Sequence, residues 1–92
     1  MIVTEAAKNK IGELIENPRQ AMPDSIFFLR ITAVEKDGIK YQTYFDYETR
    51  ENDILTKFEQ FDLRIDKESE KYLDSVTLDF LEDKGFILDI AK

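Results

Sequence analysis

Phe61-Asp62-Leu63-Arg64-Ile65-Asp66-Lys67-Glu68-Ser69-Glu70-Lys71-Tyr72-Leu73-Asp74-Ser75-Val76-Thr77-Leu78-Asp79-Phe80 is the stretch that decides the fold. Phe61, Leu63 and Ile65 alternate with Asp62, Arg64 and Asp66, the period of two that marks a half-buried strand. Asp66 then stands where an N-cap is wanted, ahead of a short helix over 67–73. Asp74 makes a turn, and Val76, Leu78 and Phe80 return to the two-residue period. Glu82-Asp83-Lys84-Gly85 reads as a hairpin turn into a last strand carrying Phe86, Leu88 and Ile90.

The middle of the chain has the same texture. Phe27, Leu29, Ile31 and Ala33 share one face of a strand over 26–34, and Ile26, Phe28, Arg30 and Thr32 share the other. Asp37-Gly38, within Glu35-Lys36-Asp37-Gly38, is a hairpin signal, and residues 39–46 return with Ile39, Tyr41, Thr43 and Phe45 on one side. Residues 47–52 are polar and read as a loop, followed by a short strand with Ile54, Thr56 and Phe58. At the start, Ile2 and Val3 open a strand, Thr4 is a suitable N-cap, and Ala7, Ile11, Leu14 and Ile15 make one apolar helical face. Gly12 weakens that helix, which points to close packing there. Asn17-Pro18 is expected to end the helix, and residues 18–25 to form a loop. The pattern therefore predicts an α+β domain of short, mostly antiparallel or mixed strands, with one long N-terminal helix and one short one.

Three stretches resemble the A-type iron–sulfur carriers, the HesB/IscA-like family. The opening Ile2-Val3-Thr4-Glu5-Ala6-Ala7 is similar to that family's strand leading into a helix. Phe28-Leu29-Arg30-Ile31, through Gly38-Ile39-Lys40-Tyr41 to Phe45-Asp46, resembles its strand, glycine-bearing loop and return strand. Most specific is Ile65 to Asp74 followed by Leu78-Asp79-Phe80, which matches the family's Val-Asp-x-x-Ser-x-x-x-Leu-x-Gly-x-x-Leu-Asp-Tyr segment in spacing, before Gly85-Phe86. The resemblance implies a single HesB/IscA-like domain over 1–92, a small sandwich or pseudo-barrel. It also implies a place in iron–sulfur cluster biogenesis and a homodimer.

The departures bear on function. Family members carry a cysteine in the loop after the second strand, which would fall on or beside Lys36. Their Cys-x-Cys pair would lie beyond Lys92, and the turn between Phe80 and Gly85 is shortened here. The sequence contains neither cysteine nor histidine. Iron–sulfur clusters are held by thiolates, sometimes helped by imidazole, so no cofactor is expected on the chain's own ligands. The same absence removes disulfides, thiolate zinc sites, a cysteine nucleophile and a Ser-His-Asp triad. No cluster-binding residue is carried over from the family, and no catalytic residue is expected.

Oxygen-based sites remain. Asp46, Glu48, Glu51 and Asp53 crowd one loop and could serve a hard cation such as Mg²⁺ or Ca²⁺, with Tyr41, Tyr44 and Tyr47 nearby. The spacing matches no loop motif, and a solvated loop is the simpler reading. Lys36 is flanked by Glu35 and Asp37, which favour its charged form, so it reads as a turn residue rather than a nucleophile. Asp66 reads as a helix cap and Asp74 as a turn residue, Asp79 as a structural residue of the same segment, and Arg30 as the structural partner of an acid.

Charge places the last constraint. The net charge is −7, and all of the excess falls in residues 46–92. Such a surface repels a phosphate backbone, so nucleic acid is not an expected partner; a basic protein or a cation is favoured. The N-terminus lacks the basic and long apolar stretches of a signal peptide, and no apolar run approaches the length of a membrane span. A cytoplasmic, non-enzymatic protein is expected. It would be an accessory or interaction protein with protein partners, among them iron–sulfur assembly components. The alternatives are an acidic interaction module unrelated to that assembly and a weak hard-cation binder.

Overall fold

A computed structural model describes residues 1–90. Seven strands form two open sheets. The smaller sheet has the order β1-β6-β7, from β1 (Ile2–Val3), β6 (Val76–Leu81) and β7 (Gly85–Ile90). The larger has the order β3-β2-β5-β4, from β2 (Phe28–Glu35), β3 (Ile39–Asp46), β4 (Asp53–Lys57) and β5 (Asp62–Asp66). Hairpins give the antiparallel pairs β2/β3, β4/β5 and β6/β7. Each sheet also contains one parallel pair, β1/β6 and β2/β5. Parallel neighbours need a crossover. Helices α1 (Glu5–Leu14) and α2 (Glu16–Ala21) lie on the path out of β1, and α3 (Lys67–Leu73) carries the chain from β5 to β6.

One apolar cluster joins the two sheets. Ala7 and Ile11 of α1 are buried in one cluster with Val3, Val76 and Leu78 of the small sheet and Leu29, Ile31, Leu63 and Ile65 of the large one. The alternation expected on β2 and β5 is what supplies the large sheet's inner face. Thr4 caps α1 as its sequence suggests: its Oγ1 accepts from the Ala7 N–H at 3.2 Å. Gly12 is a point of close approach, since a Cβ there would lie 2.9 Å from the Gln60 Cβ. At the β2–β3 turn, Asp37 (φ 55°) and Gly38 (φ 107°) both take the left-handed backbone that Asp-Gly hairpins use.

Several expectations are corrected. Residues 18–25 are not all loop, and the N-terminal helix is not one long element. The ten-residue α1 stops at Leu14 and the six-residue α2 follows. Pro18 is tolerated because it sits in the first turn of α2, where an N–H has no intrahelical acceptor to lose. The second strand begins at Phe28 rather than Ile26, and Ile26 stands 80% exposed. Phe58 lies just past the end of β4. The expected α+β arrangement of short, mixed strands is met by the two open sheets.

Asp66 occupies the N-cap position of α3 with extended backbone, but its side chain does not bond a backbone N–H. Its Oδ1 accepts from the Ser69 hydroxyl at 2.9 Å. The reason lies in the sheet. The β2/β5 pairing runs as far as Ile31 and Ile65, so Ala33, two residues on, needs another partner. Ser69, buried on α3, provides it by accepting from the Ala33 N–H at 2.9 Å. Its oxygen is also 3.2 Å from the Ala33 carbonyl. A hydroxyl has a single proton, and the shorter contact directs it to the charged Asp66 oxygen. Replacing Ser69 with Ala would strand the buried Ala33 N–H. The Ser69→Ala variant should lose about 1–3 kcal/mol of stability, read as a lower urea midpoint with unchanged slope.

Candidate functional site

The largest concentration of buried polar groups is built on Arg30. Position 30 faces away from the apolar cluster, on the same side of β2 as Phe28, yet the Arg30 side chain has no solvent exposure. A buried guanidinium must have its donors matched. Nη1 donates to Asp53 Oδ1 at 2.8 Å and Nη2 to Asp53 Oδ2 at 2.8 Å, a bidentate fork. Nε donates to Asp46 Oδ2 at 3.0 Å, and Nη2 also reaches the Glu48 carbonyl at 2.8 Å. Its carbon lies 5.2 Å from the Phe28 ring centroid.

This cluster gathers three elements. Asp46 ends β3, Asp53 begins β4, and Glu48 lies in the loop between them. The loop is further tied by Asp46 Oδ1, which accepts from the Tyr47 and Glu48 N–H groups at 2.8 and 3.2 Å. Asp53 Oδ2 also accepts from the Arg50 N–H at 3.0 Å. The Arg30 hydrogen bonds hold the Asp53 carboxyl below the usual range, against the opposing effect of burial. At Asp46 burial pushes upward, but the Glu48 and Tyr47 N–H groups and Arg30 outweigh it, and this carboxyl is also lowered.

Of the four acids expected to crowd this loop, Asp46 and Asp53 come together, around a guanidinium. Glu48 contributes its backbone carbonyl and Glu51 is exposed. Among the described residues no three carboxylates converge in a way that could hold a metal ion. The tyrosines diverge. Tyr41 donates to the Tyr72 carbonyl at 3.2 Å, Tyr47 packs edge-on against Phe27, and Tyr44 is exposed.

Lys36 sits exposed at the β2–β3 turn. Asp74 is the C-cap of α3, and its carbonyl lies 3.4 Å from the Met1 ammonium. Asp79 Oδ1 accepts from the Thr4 hydroxyl at 2.7 Å and from the Phe80 N–H at 2.8 Å. Those two bonds lower the Asp79 carboxyl and fasten the start of α1 to β6. The expectation that Arg30 pairs with an acid is met. Two groups escaped the sequence reading: Ser69, and Arg64, whose Nη1 lies 3.7 Å from Asp53 Oδ2. Ser69 could have been found from its i, i+4 spacing to the apolar Leu73, and Arg64 from its place on the outward face of β5.

Removing one partner of the Arg30 cluster leaves the other charge buried. Arg30→Met should cost about 3–5 kcal/mol, a large part of the roughly 5–14 kcal/mol typical of a chain this long. The depressed Asp46 and Asp53 carboxyls stabilise the fold fully above the ordinary aspartate value, about 3.9, and that contribution fades as pH falls through their lowered folded values. Denaturation followed by circular dichroism should therefore show stability dropping below about pH 4. The drop should be shallower in Arg30→Met, which has already lost the interaction at neutral pH.

No protein-family model matches the chain. Protein Rv2204c of Mycobacterium tuberculosis and Protein Mb2227c of Mycobacterium bovis are each 27% identical to it, over 97% of this chain and 76% of theirs. Among solved structures, Escherichia coli SufA, involved in biosynthesis of iron–sulfur clusters, superposes with a TM-score of 0.73 at 21% identity, over 99% of this chain and 83% of SufA. IscA, solved with a 2Fe–2S cluster, gives 0.66 at 21% identity, over 100% of this chain and 82% of IscA. A protein from Aquifex aeolicus solved by NMR gives 0.62 at 26% identity, over 98% and 88%. No helix among the described residues is long and apolar enough to cross a membrane. The chain thus has the fold of SufA and IscA, on a sequence with no cysteine among its 92 residues.

Proposed function

We propose that this chain is a non-enzymatic accessory or interaction protein of iron–sulfur cluster biogenesis that works without holding a cluster on its own side chains. The observation that carries the reading is a pairing of fold and composition. The architecture is that of SufA and IscA, while the sequence offers no thiolate and no imidazole. Oxygen and amine donors are poor substitutes for the soft ligands that such clusters take. In this reading the fold is kept for its surface, and the position where the resemblance would put a ligand cysteine is an exposed turn at Lys36.

The reading extends to protein partners from the assembly machinery and to a homodimer in the cytoplasm. It treats the Arg30 cluster as an internal clamp rather than a cation site, because the carboxylate oxygens of Asp46 and Asp53 already bond a guanidinium and backbone N–H groups. Affinity capture with the tagged chain should recover cysteine desulfurase or scaffold proteins, and sedimentation of the purified chain should give a dimer. Recovery of unrelated basic proteins alone, lost at high ionic strength, would instead favour an acidic interaction module.

A further inference from the structure

β7 is an open edge of the small sheet. It pairs with β6 on one side and with no strand on the other. Among the described residues no loop or helix offers its free side a backbone partner. Such an edge is a template for another chain unless something guards it. The other edges are short or guarded. β1 has two residues. β3 and β4 carry exposed lysines, Lys40 and Lys57, and each has an aspartate committed to Arg30. β7 runs for six residues, Gly85-Phe86-Ile87-Leu88-Asp89-Ile90, with no lysine and no proline. After Gly85 it has no left-handed residue among those described to twist the edge away.

Apolar surface remains uncovered at that edge. Phe86 and Leu88 pack against the core cluster yet stay half-buried. Phe86 meets Phe80 edge-on, with 5.0 Å between ring centroids. Ile87, on the opposite face of the sheet, is also half-buried. Charge points to the same edge. The chain carries a net −7, so two copies repel wherever their acids meet. Charged residues make up 36% of the sequence, but Asp89 is the single one within β7. Self-contact therefore meets less repulsion there than over most of the surface.

We infer that β7 pairs antiparallel with β7 of a second copy of this chain, joining the two small sheets into one. A two-fold axis brings the same patch of both copies together. Residues opposite each other share a face, so one residue of β7 stands opposite its own copy. Asp89 at the axis would oppose itself, and Phe86 there would set Asp83 against Asp89. Like charges directly opposite are destabilising. Leu88 at the axis would lay each Asp89 carboxylate over an apolar Ile87. Ile87 at the axis avoids all three. It sets Phe86 opposite the second copy's Leu88 on the face that packs against the core, and Ile87 opposite Ile87 on the other. Asp89 then lies opposite Gly85, where a Cβ would meet no atom within 4 Å, so its carboxylate stays in water. One strand pair is a small interface, so the dimer dissociates on dilution. The inference gives a surface to the homodimer of the reading above and rests on that part of it alone.

A sequence without cysteine makes the test direct, because an introduced thiol is the only one present. Opposite residues of an antiparallel pair have Cα atoms about 4.5–5.5 Å apart, within disulfide reach. Ile87→Cys, oxidised mildly with a glutathione couple, should therefore become a disulfide-linked dimer. Asp89→Cys, displaced along the strand from its own copy, and Gln42→Cys, on the β3 edge, should stay single chains. Ile87→Lys, which places a guard on β7, should turn the sedimenting dimer into a monomer with an unchanged circular dichroism spectrum. An unmodified chain that sediments as a monomer at every concentration would overturn both this inference and the homodimer. A dimer that persists in Ile87→Lys, or cross-linking of Asp89→Cys or Gln42→Cys as complete as that of Ile87→Cys, would overturn the β7 interface and leave the homodimer standing.

Discussion

A fully buried guanidinium sets the terms for half of this molecule. Arg30 lies between Leu29 and Ile31 on β2 with no solvent exposure, and leaving its charge unmatched there would cost several kcal/mol. The sequence answers with Asp46 at the end of one flanking strand and Asp53 at the start of another, both bonded to it. These bonds do more than neutralise charge. They fix where β3 stops and β4 begins, and they hold the polar loop between them by its Glu48 carbonyl. The apolar cluster on the opposite face drives collapse; the ion cluster specifies how the four strands of the large sheet are arranged.

Ser69 and Asp79 repeat the same logic on a smaller scale. Wherever a strand ends before its neighbour does, a backbone group needs a replacement partner. Ser69 supplies one at Ala33, beside α3. Asp79 and Thr4 together join the first turn of α1 to β6. The residues that made the sequence resemble the A-type carriers, Asp66, Ser69, Leu73 and the Leu78-Asp79-Phe80 run, are thus residues with definite structural tasks. The resemblance reports the shared architecture. It does not by itself transmit the chemistry: this sequence contains no cysteine and no histidine.

Much of the fold was legible because period-two alternation is a direct record of burial on one face. Leu29, Ile31, Leu63, Ile65 and Leu78 point inward as their spacing requires, and Asp37-Gly38 turns the chain where a left-handed pair is needed. The Asn17-Pro18 step was misread because proline is compatible with a first helical turn as well as with a helix end. Asp66 was placed correctly but given the wrong partner, since a cap position does not reveal that a serine one turn later competes for the carboxylate. The loop acids were legible as a cluster but not as a cluster around Arg30. Nothing local in sequence says that a residue 16 positions before Asp46 and 23 before Asp53 shares their site. The unequal treatment of Arg30 and Arg64 was likewise invisible, because it depends on strand register.

A carrier's architecture stands here on a sequence without cysteine. The most direct test is anaerobic incubation of the purified 92-residue chain with ferrous iron, sulfide and reductant, followed by desalting, iron and sulfide assay and a visible absorption spectrum. Neither iron nor sulfide should stay with the chain, and no sulfide-to-iron charge-transfer bands should develop. Stoichiometric iron and sulfide, retained with those bands by the chain alone, would contradict that expectation.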